Sequence, residues 1–261
     1  MICADNTDRS KLAFLFKGIQ DSMVIAYLQG YNGTCYVDRL PDPTYGIIVS
    51  GEYSFYGGNA KSAGTLLENL GDYITGSGST AIYADHAWCD ELLKYPQNNP
   101  VEVPRHGIVQ KDYDFDTEML TAFAADIPDG FEIRDFDEEL YNQATQEEWS
   151  VEFVEGFESA GDFLTKGFGK AIVEKSTGKL VAGAATQTVY DGGGETQLAT
   201  HPDYRGFGLA VAVSSAFLLE GQKRGLRICW DAANLTSKHI ALKLGYEDAG
   251  VYSTVHVSFD R

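Results

Sequence analysis

An α/β fold of the α+β kind, with a central mixed and mostly antiparallel sheet in the C-terminal half, is predicted by three observations. Short strand-like runs alternate with helical ones along all 261 residues, and 44% of the chain is apolar, enough to fill packed cores. The stretch Thr196–Ala210 reads as a strand, a glycine-bearing loop and the start of a long apolar helix. The order of elements in the first half also parallels the core of the second.

Taken in order, the first half predicts strands near Thr34–Asp38, Gly46–Ser50 and Tyr53–Tyr56, a helix over Asn59–Leu70, a strand at Thr80–Ala84, a helix over Asp85–Tyr95 and a strand at Val101–Val109. A short helix from Thr117 ends in Ala125-Asp126-Ile127-Pro128-Asp129-Gly130, a Pro- and Gly-bearing boundary that separates domains 1–125 and 131–261. Beyond it come strand Phe131–Phe136, helical segments over Glu138–Trp149 and Val151–Thr165, and strands Phe168–Glu174 and Leu180–Tyr190. A turn at Asp191–Gly194 leads to strand Glu195–Thr200. After the long helix, a strand at Leu226–Asp231, a helix over Asn234–Leu244 and a closing pair of strands after Glu247 complete the half. Two readings of the first half are open: a degenerate repeat of the second, or an unrelated α/β cap.

Composition excludes several functions. A formal net charge of −18, from 20 basic and 38 acidic residues, leaves no Lys/Arg surface for nucleic acid. The early apolar run Leu12–Phe16 is too short for a signal peptide or membrane span, so the expectation is a cytoplasmic protein without a membrane partner. Cys3, Cys35, Cys89 and Cys229 are scattered, without zinc or disulfide spacing, and the five histidines show no metal-ligand spacing. No metal is expected.

The glycine loop carries the chemistry. Gly206 and Gly208 let the backbone approach an anion, and the helix behind them offers unpaired N–H groups and a positive dipole end. The loop pattern is Arg205, Gly208 and Ala210; downstream stand Asn234, Ser237 and the pair Gly245-Tyr246. With these residues the chain resembles the GNAT superfamily of N-acetyltransferases. Trp230-Asp231-Ala232-Ala233-Asn234 and Glu148-Trp149-Ser150 are similar to the subfamily that includes the zwittermicin A resistance acetyltransferase.

The resemblance implies an acetyl-CoA-dependent N-acetyltransferase acting on a primary amine. Backbone N–H groups of Arg205, Gly206, Phe207, Gly208, Leu209 and Ala210 would hold the pyrophosphate. The edge of Leu198, Ala199 and Thr200 would pair with the pantetheine amides, with Asn234 and Ser237 on the facing helix. A backbone N–H near Leu198 would stabilise the oxyanion. Glu195 and Asp231 are the candidate bases, each with an alternative role: Glu195 as a solvated turn residue, Asp231 as a helix cap. The family's thiolate-protonating Tyr falls on Ala241, which opens the alternative of a non-catalytic acyl-CoA sensor or interaction protein. Asp135–Glu158 holds nine acidic residues and no Lys or Arg, which points to a small cationic amine as acceptor.

Overall fold

The computed structural model describes residues 1–109 and 115–260, which divide into two compact units. One comprises Met1–Arg105 and the chain from Val251 onward; the other comprises His106–Gly250. The division falls earlier than the expected boundary at 125–131 because the helix Thr117–Ala125 (α4) packs with the second unit, its Leu120 buried in that core.

The first unit is built on a seven-stranded sheet. Its strands are Ile2–Cys3 (β1), Thr34–Val37 (β2), Tyr45–Ser50 (β3), Tyr53–Gly58 (β4), Gly78–Tyr83 (β5) and Val101–Val109 (β6), joined by the C-terminal strand, in the order β1-β2-β3-β4-β5-C-terminal strand-β6. Helices Ser22–Leu28 (α1), Gly64–Glu68 (α2) and Ala87–Leu92 (α3) cover it. The helix expected over Asn59–Leu70 is broken into α2 flanked by two 3₁₀ turns, because the Asn59 side chain caps the first of them at the Lys61 N–H. β2, β3 and β4 are antiparallel, and β4 runs parallel to β5 from Tyr53↔Thr80 to Tyr56↔Tyr83. Beyond that last rung the Gly58 N–H donates to the Leu15 carbonyl at 2.9 Å. A Cβ on Gly57 would stand 2.5 Å from the same oxygen, so only glycine admits this approach.

The second unit has a five-stranded sheet of Phe131–Asp135 (β7), Gly169–Glu174 (β8), Leu180–Tyr190 (β9), Gly193–Thr200 (β10) and Arg227–Cys229 (β11), in sequential order. All pairs are antiparallel except β10 with β11. Alternation along the strands separates two cores. Ile172, Ala184 and Ile228 face α4 and the long helix Leu209–Lys223 (α7), whose Leu209, Val213 and Phe217 are buried. Ala171, Val173 and Ala185 face Glu138–Ala144 (α5) and Ala160–Lys166 (α6). A final helix, Leu235–Lys243 (α8), adds Ala241 to the first of these cores.

Three expectations change here. The segments expected as helix over 138–149 and 151–165 are interrupted, leaving α5, a single 3₁₀ turn at Val151–Phe153, and α6. The Ser150 hydroxyl donates to the Ala144 carbonyl and so caps the end of α5, while the Ser159 hydroxyl starts α6 by accepting from the Asp162 N–H. The pair of strands expected after Glu247 is one strand, Glu247–Ser258 (β12), and its end pairs with β5 from Val255↔Ala81 to Ser258↔Gly78. Both sheets contain a run of antiparallel strands leading into a parallel β-loop-helix-β connection, β4 to β5 in the first and β10 to β11 in the second, as the repeat reading expects; the first sheet then continues through β12 and β6.

Candidate active site

The site begins where β10 and β11 part. Only Gly193–Glu195 pair with Arg227–Cys229, whereas β10 runs on through Thr196–Thr200, its far edge fully paired with β9. A register shift between Glu195 and Thr196 marks the parting point with a bulge. A parallel pair that stops after three rungs opens a notch whose one wall is a strand edge.

A cavity of about 600 Å³ occupies this notch. Leu198, Ala199 and Thr200 form the strand wall, Asn234 and Ser237 the opposite wall, and Arg205, Gly206, Gly208, Leu209 and Ala210 the end. Gly208 is the N-cap of α7 with φ +78, and Gly206 has φ +86, a region that side-chain-bearing residues rarely adopt. That geometry turns the first-turn N–H groups of a fifteen-residue helix toward the cavity. The Arg205 Nε donates to the Thr200 carbonyl at 3.3 Å and fixes the loop to the strand.

Phe207 differs from the other expected cofactor residues: its ring is 53% exposed and it is not among the cavity walls. Conversely, Tyr204, Val211, Thr236 and Ile240 line the cavity without having been expected to. Thr236 and Ile240, spaced four apart on α8, follow from helical periodicity once Asn234 is known to be the cap. Asn234 Oδ1 accepts from the Ser237 N–H at 2.9 Å, and Ser237 Oγ accepts from the Trp230 indole Nε1 at 3.0 Å. Ala241 is wholly buried, one turn beyond Ser237, and touches the core rather than the cavity.

Glu195 and Asp231 lie outside the cavity lining. Glu195 is 8% exposed and stands opposite Cys229 on the last paired rung. Because Ile228 and Trp230 face the α7 core, Cys229 and Asp231 project to the other face of β11, the face that Glu195 shares. Gln197, on the same strand as Glu195, donates from its amide to the carboxylate of Glu152, which brings the acidic segment against β10. The Tyr190 hydroxyl lies 3.5 Å from the Cys229 sulfur, and burial together with that thiol pushes its phenol above the ordinary value. Burial also raises the Tyr246 phenol well above its ordinary value, and its O–H donates to the Ile228 carbonyl.

His201 holds the entry to the loop. Its Nδ1 accepts from the Asp203 N–H at 3.2 Å, and its ring meets Trp149 and Tyr204 edge-on at 5.5 and 5.4 Å. Trp149 donates its indole N–H to Glu147, and Trp230 is buried in the α7 core, so both tryptophans pack. Among the described residues no group of three or more His, Cys, Asp or Glu is arranged to hold a metal, and no helix is long and apolar enough to cross a membrane. The four cysteines are free thiols.

The family model described as GNAT acetyltransferase matches residues 13–255. The chain is 27% identical over 129 residues to the uncharacterized N-acetyltransferase YdfB of Bacillus subtilis (strain 168), a match spanning 49% of this chain and 48% of that protein, about half of its length. Over 96% of this chain and 98% of the other, its structure is similar to a GCN5-related N-acetyltransferase-like protein from Streptococcus suis 89/1591, with a TM-score of 0.85 and 29% identity. A tandem GNAT protein from the clavulanic acid biosynthesis pathway, determined without AcCoA, shares the fold at a TM-score of 0.55 and 13% identity, covering 98% of this chain and 97% of that one.

Proposed function

Because the chain belongs to the GNAT acetyltransferase family, we propose that it is an acetyl-CoA-dependent N-acetyltransferase whose second unit binds the cofactor and whose acceptor is the primary amine of a small cationic molecule. The observation that carries this reading is the β10–β11 notch running without interruption into the Arg205–Ala210 loop. The loop supplies N–H donors for a pyrophosphate, and the strand edge supplies backbone groups for an amide-bearing arm. Coenzyme A carries both chemistries in that order, and when bound it would supply the acetyl thioester.

The remaining residues fit the other half of the reaction. An ammonium must lose a proton before it can attack, and we assign that proton to Glu195, on the rung where the strands part. The contact between Glu152 and Gln197 carries negative charge to the same strand, which supports a cationic acceptor. The likeness of Trp230–Asn234 and Glu148–Ser150 to the zwittermicin A resistance subfamily supports an amine-bearing small molecule.

The first unit is proposed to hold no cofactor. Its β4–β5 pair stays zipped through Tyr56↔Tyr83, and Leu15 already takes the N–H of Gly58 where a phosphate would dock. A second reading, cofactor binding without catalysis, is favoured by one observation: Ala241 stands where the family's acid is expected.

Thermal unfolding with and without acetyl-CoA tests the cofactor assignment. A hundredfold excess over Kd stabilises by roughly 2.7 kcal/mol. Ala210→Asp should abolish the shift while keeping the fold, because a carboxylate suits the first turn of a helix yet repels a pyrophosphate. Gly208→Val should also abolish it, at a cost in stability from its positive φ. A shift retained in Ala210→Asp overturns the assignment. Thiol release over a panel of amines then separates the two readings, since only an enzyme produces it.

A further inference from the structure

We propose that Ser237 donates a hydrogen bond to the sulfur of the departing coenzyme A, and that the Trp230 indole orients it to do so; the inference rests on the acetyl-CoA reading above. The Ser237 hydroxyl accepts from Trp230 Nε1 at 3.0 Å. An indole N–H is a donor only, so this contact uses an acceptor lone pair of the hydroxyl and leaves the serine hydrogen for another acceptor. The backbone N–H of Ser237 is already bound to Asn234 Oδ1, and Ser237 lines the cavity. The hydroxyl is thus the group of this residue with a donor to offer there.

Its place along the notch matters equally. Trp230 directly follows Cys229, whose pairing with Glu195 is the last rung before the strands part. One indole side chain therefore ties Ser237 to the closed end. From Thr200 to Glu195 the strand advances five residues, roughly 16 Å at about 3.3 Å per residue. An arm anchored at Arg205–Ala210 and laid along that edge brings its far end, the thioester, to the closed end. Ser237 also lies in the first turn of the nine-residue α8, whose positive dipole end favours a thiolate. Ala241 offers no donor, and the Tyr246 hydroxyl is committed to the Ile228 carbonyl.

In the transfer, the amine lone pair forms the N–C bond and the C–S bond breaks with its electron pair on sulfur. The ammonium loses one proton to a carboxylate or to water before it attacks, and the nitrogen loses a second to water as the amide forms. The thiolate accepts the Ser237 hydrogen bond and takes its proton from solvent, while Ser237 keeps its own.

The pKa of the bound coenzyme A thiol reads this contact without knowledge of the acceptor. It is measured on the whole chain from ultraviolet thiolate absorbance, as the difference between complexes with coenzyme A and with desulfo-coenzyme A. That subtraction cancels Cys229, the tyrosines and the nearby Glu195, Asp231, Lys238 and Asp248. The bound thiol should titrate below that of free coenzyme A measured in the same buffer. Ser237→Ala should raise it by about one unit, as loss of one hydrogen bond to a charged atom requires. Trp230→Phe, which keeps an aromatic ring and removes the N–H, should raise it by part of that, and Ser237→Thr should restore it. Equal thiol pKa values in the parent, Ser237→Ala and Trp230→Phe proteins would overturn the role of Ser237 and leave the acetyltransferase reading standing. Absence of coenzyme A binding by the parent would overturn both. If Ser237→Ala does not fold, Trp230→Phe and Ser237→Thr decide the question.

Discussion

Glu195 sits in a position that few carboxylates occupy: buried, on the final rung of a parallel strand pair, on the sheet face shared with Gln197 and Asp231. Burial keeps water from competing for the proton it would accept, and its strand fixes its direction. Glu195→Gln is expected to lower kcat/KM for amine acetylation by about 100-fold or more, with acetyl-CoA binding unchanged. Asp231→Asn should cost less, because Asp231 lies beyond the last paired rung. Activity of Glu195→Gln equal to that of the parent would remove Glu195 from the reaction. In the proposed reading Glu152 stands on the acceptor side, through its contact with Gln197. Charge attraction there is screened beyond about 8 Å at 0.15 M salt. The acceptor KM should therefore rise with ionic strength and in Glu152→Gln and Glu155→Gln, whereas a KM indifferent to both would make the acidic segment surface only.

At the scale of elements, α7 joins the Arg205–Ala210 loop to the core. Phe217 is fully buried and stacks on Phe168 with ring centroids 4.7 Å apart, so Phe217→Ala should destabilise by about 3–5 kcal/mol, read by urea unfolding. Near the other end of the helix, the hydrogen bond from Arg224 holds the Glu220 carboxyl below its ordinary value of 4.5. A carboxyl depressed in the folded state adds stability above its unfolded pKa and loses it as pH falls through the folded value. Glu220→Gln should therefore narrow the stability difference between pH 7 and pH 3, and an unchanged difference would assign the acid sensitivity elsewhere. The loop, its strand and α7 were legible in the sequence because glycine spacing, strand alternation and helical periodicity are local. The interruptions at 145–159 were not, since Ser150, Glu152 and Ser159 act there through folded contacts. Nor was the notch, because the length over which β10 and β11 pair is decided by tertiary structure. The same limit hid Ser237's tie to Trp230, for nothing in the spacing of residues 230 and 237 announces an indole-to-hydroxyl bond.

Over the whole molecule, two units repeat one arrangement, antiparallel strands leading into a parallel pair, and differ just beyond that pair. In the second unit the pair stops after three rungs and opens a notch; in the first it runs to a fourth rung, and the Leu15 carbonyl takes the Gly58 N–H just beyond it. The family match across residues 13–255 fits a chain in which both units belong to one tandem design. The repeat was readable in the order of elements, whereas the role of the Leu12–Phe16 segment was not, because its partner Gly58 is distant in sequence. β12 was misread for a related reason: its partner β5 lies in the first unit, so its length is set by a strand remote in the chain. The central claim, that acetyl transfer is built on a single cofactor site between β10, the glycine loop and α8, is tested most directly by isothermal titration of the whole chain with acetyl-CoA. The account predicts one site per chain, lost in Ala210→Asp; two sites per chain, or a single site untouched by that substitution, would contradict it.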